Sequence, residues 1–163
     1  MSKILISACL SGFPVRYNGS EKILIDQTLQ QWREQNRLVI CCPELAAGFA
    51  TPRPPAEIAV RSSGRSVLSE GARVMESSGQ DVTERYILGA YLALEMAEKN
   101  GCRYALLTDS SPSCGSETIY DGSFGGKMLE GYGVTTELLR QHGIEVFSHR
   151  QILQLIERVM NQA

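Results

Sequence analysis

The chain has 163 residues, of which 43% are hydrophobic and 21% charged, and its formal net charge is -2. That length suits one domain, residues 1–163, with a single sizeable core, and so small a charge excludes a global attraction to nucleic acid or to an anionic membrane. The start, Met1-Ser2-Lys3-Ile4-Leu5-Ile6-Ser7-Ala8-Cys9, has an apolar run too short for a signal-peptide core or a membrane span, so a cytoplasmic protein is expected.

In chain order, Lys3 to Ser7 reads as a buried strand because its apolar run precedes the punctuation of Gly12 and Pro14. Ile25, Leu29 and Trp32 fall at helical spacing within a helix predicted from Ile23 to Asn36, and Arg37 to Cys41 is a second short strand. Cys42-Pro43-Glu44 follows directly, since proline cannot continue a central ladder. Thr51 to Pro55 is expected to be extended, and Ala56 to Val60, Val67-Leu68 and Arg73 to Met75 read as short strands or a hairpin around Gly64 and Gly71. Asp81 with Glu84 has the spacing of a reciprocal helix cap, and Tyr86, Ile87, Ala90, Leu94 and Ala97 share one face of the helix that Asn100-Gly101 ends. Tyr104 to Leu107 is a third buried strand, running into Thr108-Asp109-Ser110-Ser111-Pro112-Ser113-Cys114-Gly115. A helix from Thr135 to His142, a strand from Ile144 to Phe147 and an amphipathic helix from Gln151 to Met160 complete the chain. The alternation predicts an α/β fold: a single-domain, Rossmann-like open parallel sheet with flanking helices and a small β-hairpin excursion.

Five cysteines in a chain without a secretory signal argue against a disulfide framework, and an odd number cannot pair fully. There is no Cys-x-x-Cys and no Cys/His cluster at zinc-finger spacing, so any metal site must be assembled from distant segments. Cys9, Cys42 and Cys114 each occur just after a predicted core strand. In an open parallel sheet the loops leaving the strands' carboxyl ends form one rim, where ligands bind. Three thiolates there could hold zinc, hold an iron-sulfur cluster, or include one nucleophile. In a cubane cluster three cysteines would leave the fourth iron open, as a Lewis acid toward substrate. Cys41 and Cys102 read as small buried apolar residues.

The chain resembles the TudS-type thiouracil desulfidases over nearly its whole length. The likeness rests on Ile6-Ser7-Ala8-Cys9-Leu10-Ser11-Gly12 with Pro14-Val15-Arg16-Tyr17, on Cys42-Pro43-Glu44, on Thr51-Pro52-Arg53-Pro54-Pro55-Ala56-Glu57-Ile58, on Gly79-Gln80-Asp81-Val82-Thr83, on Ser111-Pro112-Ser113-Cys114-Gly115 and on Tyr120-Asp121-Gly122-Ser123-Phe124-Gly125-Gly126. It implies a 4Fe-4S cluster held by Cys9, Cys42 and Cys114, with one iron open to the substrate's sulfur. The implied reaction is hydrolytic: water replaces the thiocarbonyl sulfur of 4-thiouracil, 2-thiouracil or 4-thio-UMP, giving uracil or UMP and hydrogen sulfide. Two positions depart from the pattern, Thr108 where a lysine is often seen and Cys41 where an aliphatic residue is common.

Glu44, two residues after Cys42, is the candidate general base for the attacking water. Ser111 and Ser113 are candidates to orient that water or bind the pyrimidine carbonyl, although serine also favours turns. The glycine-rich stretch Asp121-Gly122-Ser123-Phe124-Gly125-Gly126-Lys127 could bring N–H groups and a lysine to a phosphate, and Arg53 could add a rigid fork of donors. These contacts favour a small thiolated pyrimidine such as 4-thio-UMP over thiolated RNA, bound by a monomer or homodimer. His142 is placed at a helix end and His149 at a polar helix entry, neither as the base. Two other readings compete: a metal-free persulfide sulfurtransferase and an iron-sulfur redox-sensing module.

Overall fold

The computed structural model describes residues 2–11, 27–60 and 62–161. The motif residues Gly12 and Pro14 to Tyr17, and the start of the first predicted helix at Ile23 to Ile25, lie outside the described residues.

Four parallel strands form the sheet: β1 (Lys3–Ser7), β2 (Leu38–Cys41), β5 (Cys102–Leu107) and β8 (Glu145–Ser148), in the order β2-β1-β5-β8. The two inner strands are apolar without alternation because both their faces are covered, which is how interior parallel strands differ from half-exposed ones. Ile4, Ile6, Tyr104 and Leu106 pack with Leu29 and Trp32 of α1 (Gln27–Glu34) and Leu155 and Val159 of α6 (Ile152–Met160). Leu5, Ala105 and Leu107 belong to the opposite core layer, with α4 (Thr83–Lys99) and α5 (Val134–Gln141). One residue's step along a strand therefore changes layers. The mixed α/β architecture agrees with the reading of the sequence.

Because the chain passes from β1 to β2 on one side, then crosses to β5 on the other, the loops after β1 and β5 diverge. A crevice opens between them at the carboxyl ends of the strands.

The remaining elements build around that crevice. Residues Pro43–Ala46 form the one-turn helix α2, and the excursion contains β3 (Ala56–Ile58) paired antiparallel with β4 (Val74–Glu76). Val67 and Leu68, expected as strand, lie instead in α3 (Gly64–Ser69), which Ser63 starts by a capping box with Ser66. A two-residue apolar pair has no period, and the cap decides the outcome. The N-cap of α4 is Val82, not Asp81: the Asp81 carboxylate lies one residue earlier and accepts the N–H and hydroxyl of Thr83 at 2.9 and 2.5 Å, with no reciprocal bond to Glu84. A second hairpin, β6 (Thr118–Tyr120) with β7 (Met128–Glu130), has no counterpart in the expected elements.

Gly89 of α4 is where this helix meets α2. A Cβ there would lie 2.5 Å from the carbonyl oxygen of Pro43 and 3.5 Å from Ala47 Cβ. Gly89→Ala gains about 1 kcal/mol of helix propensity, but pushing backbone away from backbone costs more, typically up to about 3 kcal/mol. The expected net result is a melting temperature a few degrees lower, and a thermal scan showing an unchanged or higher value would mean that α2 retreats freely.

Candidate functional site

Cys9 lies in a single 3-10 turn, Ala8–Ser11, that β1 runs into. The adjoining ends of β1 and β5 are tied together: Thr108 N–H donates to Ser7 Oγ at 3.0 Å, and Cys9 Sγ and Thr108 Oγ1 share a hydrogen bond at 2.8 Å. Thr108, where the resemblance led to lysine, thus holds the first cysteine.

Cys42 is the N-cap of α2 in extended conformation, with Pro43 at the first helical position, where a missing N–H costs nothing. Glu44, one residue on, meets Arg53 in an ion pair whose side chains are only 11% and 6% exposed. Arg53 Nε donates to Glu44 Oε2 at 2.7 Å and Nη2 donates to the same oxygen, while Nη1 donates to Ala50 O and Thr51 Oγ1, each at 3.2 Å. Both guanidinium bonds converge on one carboxylate oxygen. Arg53, expected as a phosphate or carbonyl contact, thus lines the cavity with its guanidinium engaged by Glu44.

Cys114 sits in a turn anchored from two directions. Its N–H donates to Ser111 Oγ at 2.7 Å, and its carbonyl accepts from Thr136 Oγ1 at 2.9 Å. The carbonyls of Pro112 and Ser113 accept the first N–H groups of α5, from Val134 and Thr135 at 2.8 and 2.9 Å, which would otherwise lack partners. Ser113 is 1% exposed and shares a 2.7 Å hydrogen bond with Thr135 Oγ1. It does not line the cavity wall, but its Oγ accepts from Cys114 Sγ at 3.7 Å, so it ties the cysteine to α5 from behind. Ser111 does face the cavity, and its oxygen serves the turn.

All three cysteines line one cavity of about 420 Å³ at the crevice, together with Glu44, Arg53 and Ser111. The residues Asp121, Gly122, Ser123, Phe124 and Lys127 do not line it, although Tyr120 and Met128 on either side of them do. Two of the loop's N–H groups, those of Gly122 and Phe124, donate to Glu57 Oε1 at 3.0 and 3.2 Å, and Asp121 Oδ1 takes those of Ser123. The chain's own carboxylates thus accept the N–H groups of the loop that was expected to meet a phosphate.

Sequence reasoning passed over Asp109, Tyr86, Glu57 and Arg150, which also line the cavity. Asp109 Oδ1 accepts the N–H groups of Ser116, Glu117 and Thr118 at 3.0, 3.1 and 3.1 Å, and Oδ2 accepts Thr118 Oγ1 at 2.9 Å and Arg150 Nη1 at 2.6 Å. Its own N–H donates to His149 Nδ1 at 3.3 Å. An acid directly after a buried strand was the available signal; nothing in the sequence pointed to Arg150. His142 caps α5, as expected.

The donor set suits an iron-sulfur cluster by its chemistry. Burial pushes the Cys114 thiol well above its usual range, with Glu44 and Cys42 adding to the effect, and pushes Cys42 upward too, against the N–H of Leu45, which lowers it. Soft, buried thiols of this kind lose their protons to a positively charged occupant. Among the described residues no three His, Cys, Asp or Glu side chains are gathered as a site for a metal ion. No helix among them is long and apolar enough to cross a membrane.

Residues 4–151 match the family model described as 2-thiouracil desulfurase. The Bacillus subtilis (strain 168) protein YbbK is 42% identical over 149 residues, covering 91% of this chain and 97% of its own. A solved structure described as a 4Fe-4S-dependent thiouracil desulfidase, TudS, is 44% identical with a TM-score of 0.88, covering 98% of this chain and 99% of that one.

Proposed function

The chain belongs to the 2-thiouracil desulfurase family, and from that premise we propose that it hydrolytically removes sulfur from a thiolated uracil, free or as its nucleotide, releasing hydrogen sulfide. The products are then uracil or UMP from 4-thiouracil, 2-thiouracil or 4-thio-UMP. Cys9, Cys42 and Cys114 hold a 4Fe-4S cluster in this reading. Its main support is that three cysteines from three separate strand ends open on the same cavity as Glu44. When bound, a cluster with three cysteine ligands supplies one iron free of protein, a Lewis acid suited to a thiocarbonyl sulfur.

The chain's own residues supply the rest. Arg53 fills one oxygen of Glu44, and Oε1 has no hydrogen-bond partner among the described residues. A carboxylate oriented through one oxygen can take a proton from water with the other, provided the water lies within hydrogen-bond reach. Ser111, Thr108 and Asp109 keep the cysteine-bearing turns in register with the sheet.

Anaerobically reconstituted protein should be brown, hold about four iron atoms per chain, and release sulfide from 4-thiouracil, 2-thiouracil or 4-thio-UMP. Colourless protein that still releases sulfide would favour a persulfide transferase. Brown protein that releases none from any of the three would favour a sensing module.

A further inference from the structure

Tyr86 lies on the core face of α4, lines the cavity, and is only 5% exposed. Its ring is held against Phe49, with centroids 5.2 Å apart and planes tilted by 55°, and Arg85 covers Phe49 in turn. The hydroxyl has no hydrogen-bond partner among the described residues. Nor is it sealed away: Ser116 Oγ is the one fully buried side-chain oxygen or nitrogen there without a partner. What remains open of Tyr86 therefore includes its hydroxyl, and the cavity is the space that Tyr86 lines.

Three other polar side chains of the wall have partners within the protein. Arg53 faces Glu44, Arg150 faces Asp109 and Glu117, and Thr108 faces Cys9. A hydroxyl kept nearly buried without a partner is a standing cost to the fold, and such exceptions call for an explanation. Burial, followed by the charge of Glu44, raises the phenol far above its usual pKa, so it stays a neutral donor throughout the working range.

We propose that Tyr86 is a substrate-binding residue whose hydroxyl donates a hydrogen bond to the pyrimidine's remaining carbonyl oxygen, the one from which no sulfur is removed. This rests on the desulfurase reading. It goes beyond it by naming the group that orients the ring. Because that carbonyl survives the reaction, the same bond forms to the product uracil. A contact of this kind contributes about equally to ground and transition states, so it acts on KM more than on kcat.

Tyr86→Phe removes the hydroxyl and keeps the ring against Phe49. The expected variant melts no lower than wild type and retains its iron. Its KM for 4-thiouracil is about tenfold higher with kcat within about threefold, and uracil inhibits about tenfold more weakly. Active wild type alongside a variant whose KM and uracil inhibition are both within twofold would overturn the assignment, as would a lower melting temperature, which reveals a structural partner for the hydroxyl. Wild-type protein that releases no sulfide would instead overturn the desulfurase reading itself.

Discussion

Asp109→Ala should destabilise the protein by about 3–5 kcal/mol and strip most of its iron, because it deletes the anchor of the turn that carries Cys114. The Asp109 side chain is 0% exposed and accepts from three N–H groups, a threonine hydroxyl and the Arg150 guanidinium. Truncation leaves the donors of Ser116, Glu117 and Thr118 facing nothing. Asp109→Asn should be milder, since its carbonyl still accepts the three N–H groups while its amide opposes Arg150. Denaturant unfolding and iron content measured together test this, and a melt like wild type for the alanine variant would mean the turn stands without its anchor.

The same group makes a pH prediction. Burial alone would raise its pKa, but the hydrogen bonds from Thr118 and Glu117 outweigh that and lower it from 3.8 to about 2. A depressed carboxyl stabilises the fold fully above its unfolded value and ceases to do so as pH falls through the folded one. About 2 kcal/mol should therefore be lost between roughly pH 4 and pH 2. Asp109→Asn should lack that part of the acid slope; an identical slope in the variant would assign it to other carboxyls.

Glu44→Gln should lower turnover by about a hundredfold with cluster absorbance intact. The amide can still accept from Arg53 through its oxygen, so the guanidinium keeps a partner, but its other end, an NH2 group, can no longer accept a proton. Measuring kcat on protein of verified iron content separates chemistry from loading. Full turnover would leave Glu44 as a structural counter-charge for Arg53, and loss of iron in step with activity would make it a support for the Cys42 segment.

The sheet was largely legible because β1 and β5 are buried on both faces and so appear as continuous apolar runs, and the cysteines stood out because each falls in the segment that follows a strand of the sheet. Failures came where local sequence leaves direction open. Ser111 and Ser113 flank the same proline and have the same chemistry, yet only packing against Thr135 turns one of them inward. Asp121 to Lys127 read as an anion loop because glycines expose N–H groups, but the acceptor came from Glu57, more than sixty residues away. Tyr86 looked like one more apolar member of a helix face. Its distinguishing property, a hydroxyl without a partner among the described residues, exists only in three dimensions.

The pairing of β1 with β5 matches Ile4 to Tyr104 and Ile6 to Leu106. During synthesis the first strand and its cysteine emerge long before the strand that will lie beside them, and contacts so distant in sequence are slow to form. Cys9 and Cys42 are present early, while Cys114 arrives only with the turn that follows β5. With Cys9, Cys42 and Cys114 as the proposed ligands, cofactor insertion would then follow closure of the sheet, and loading with iron would report a finished fold.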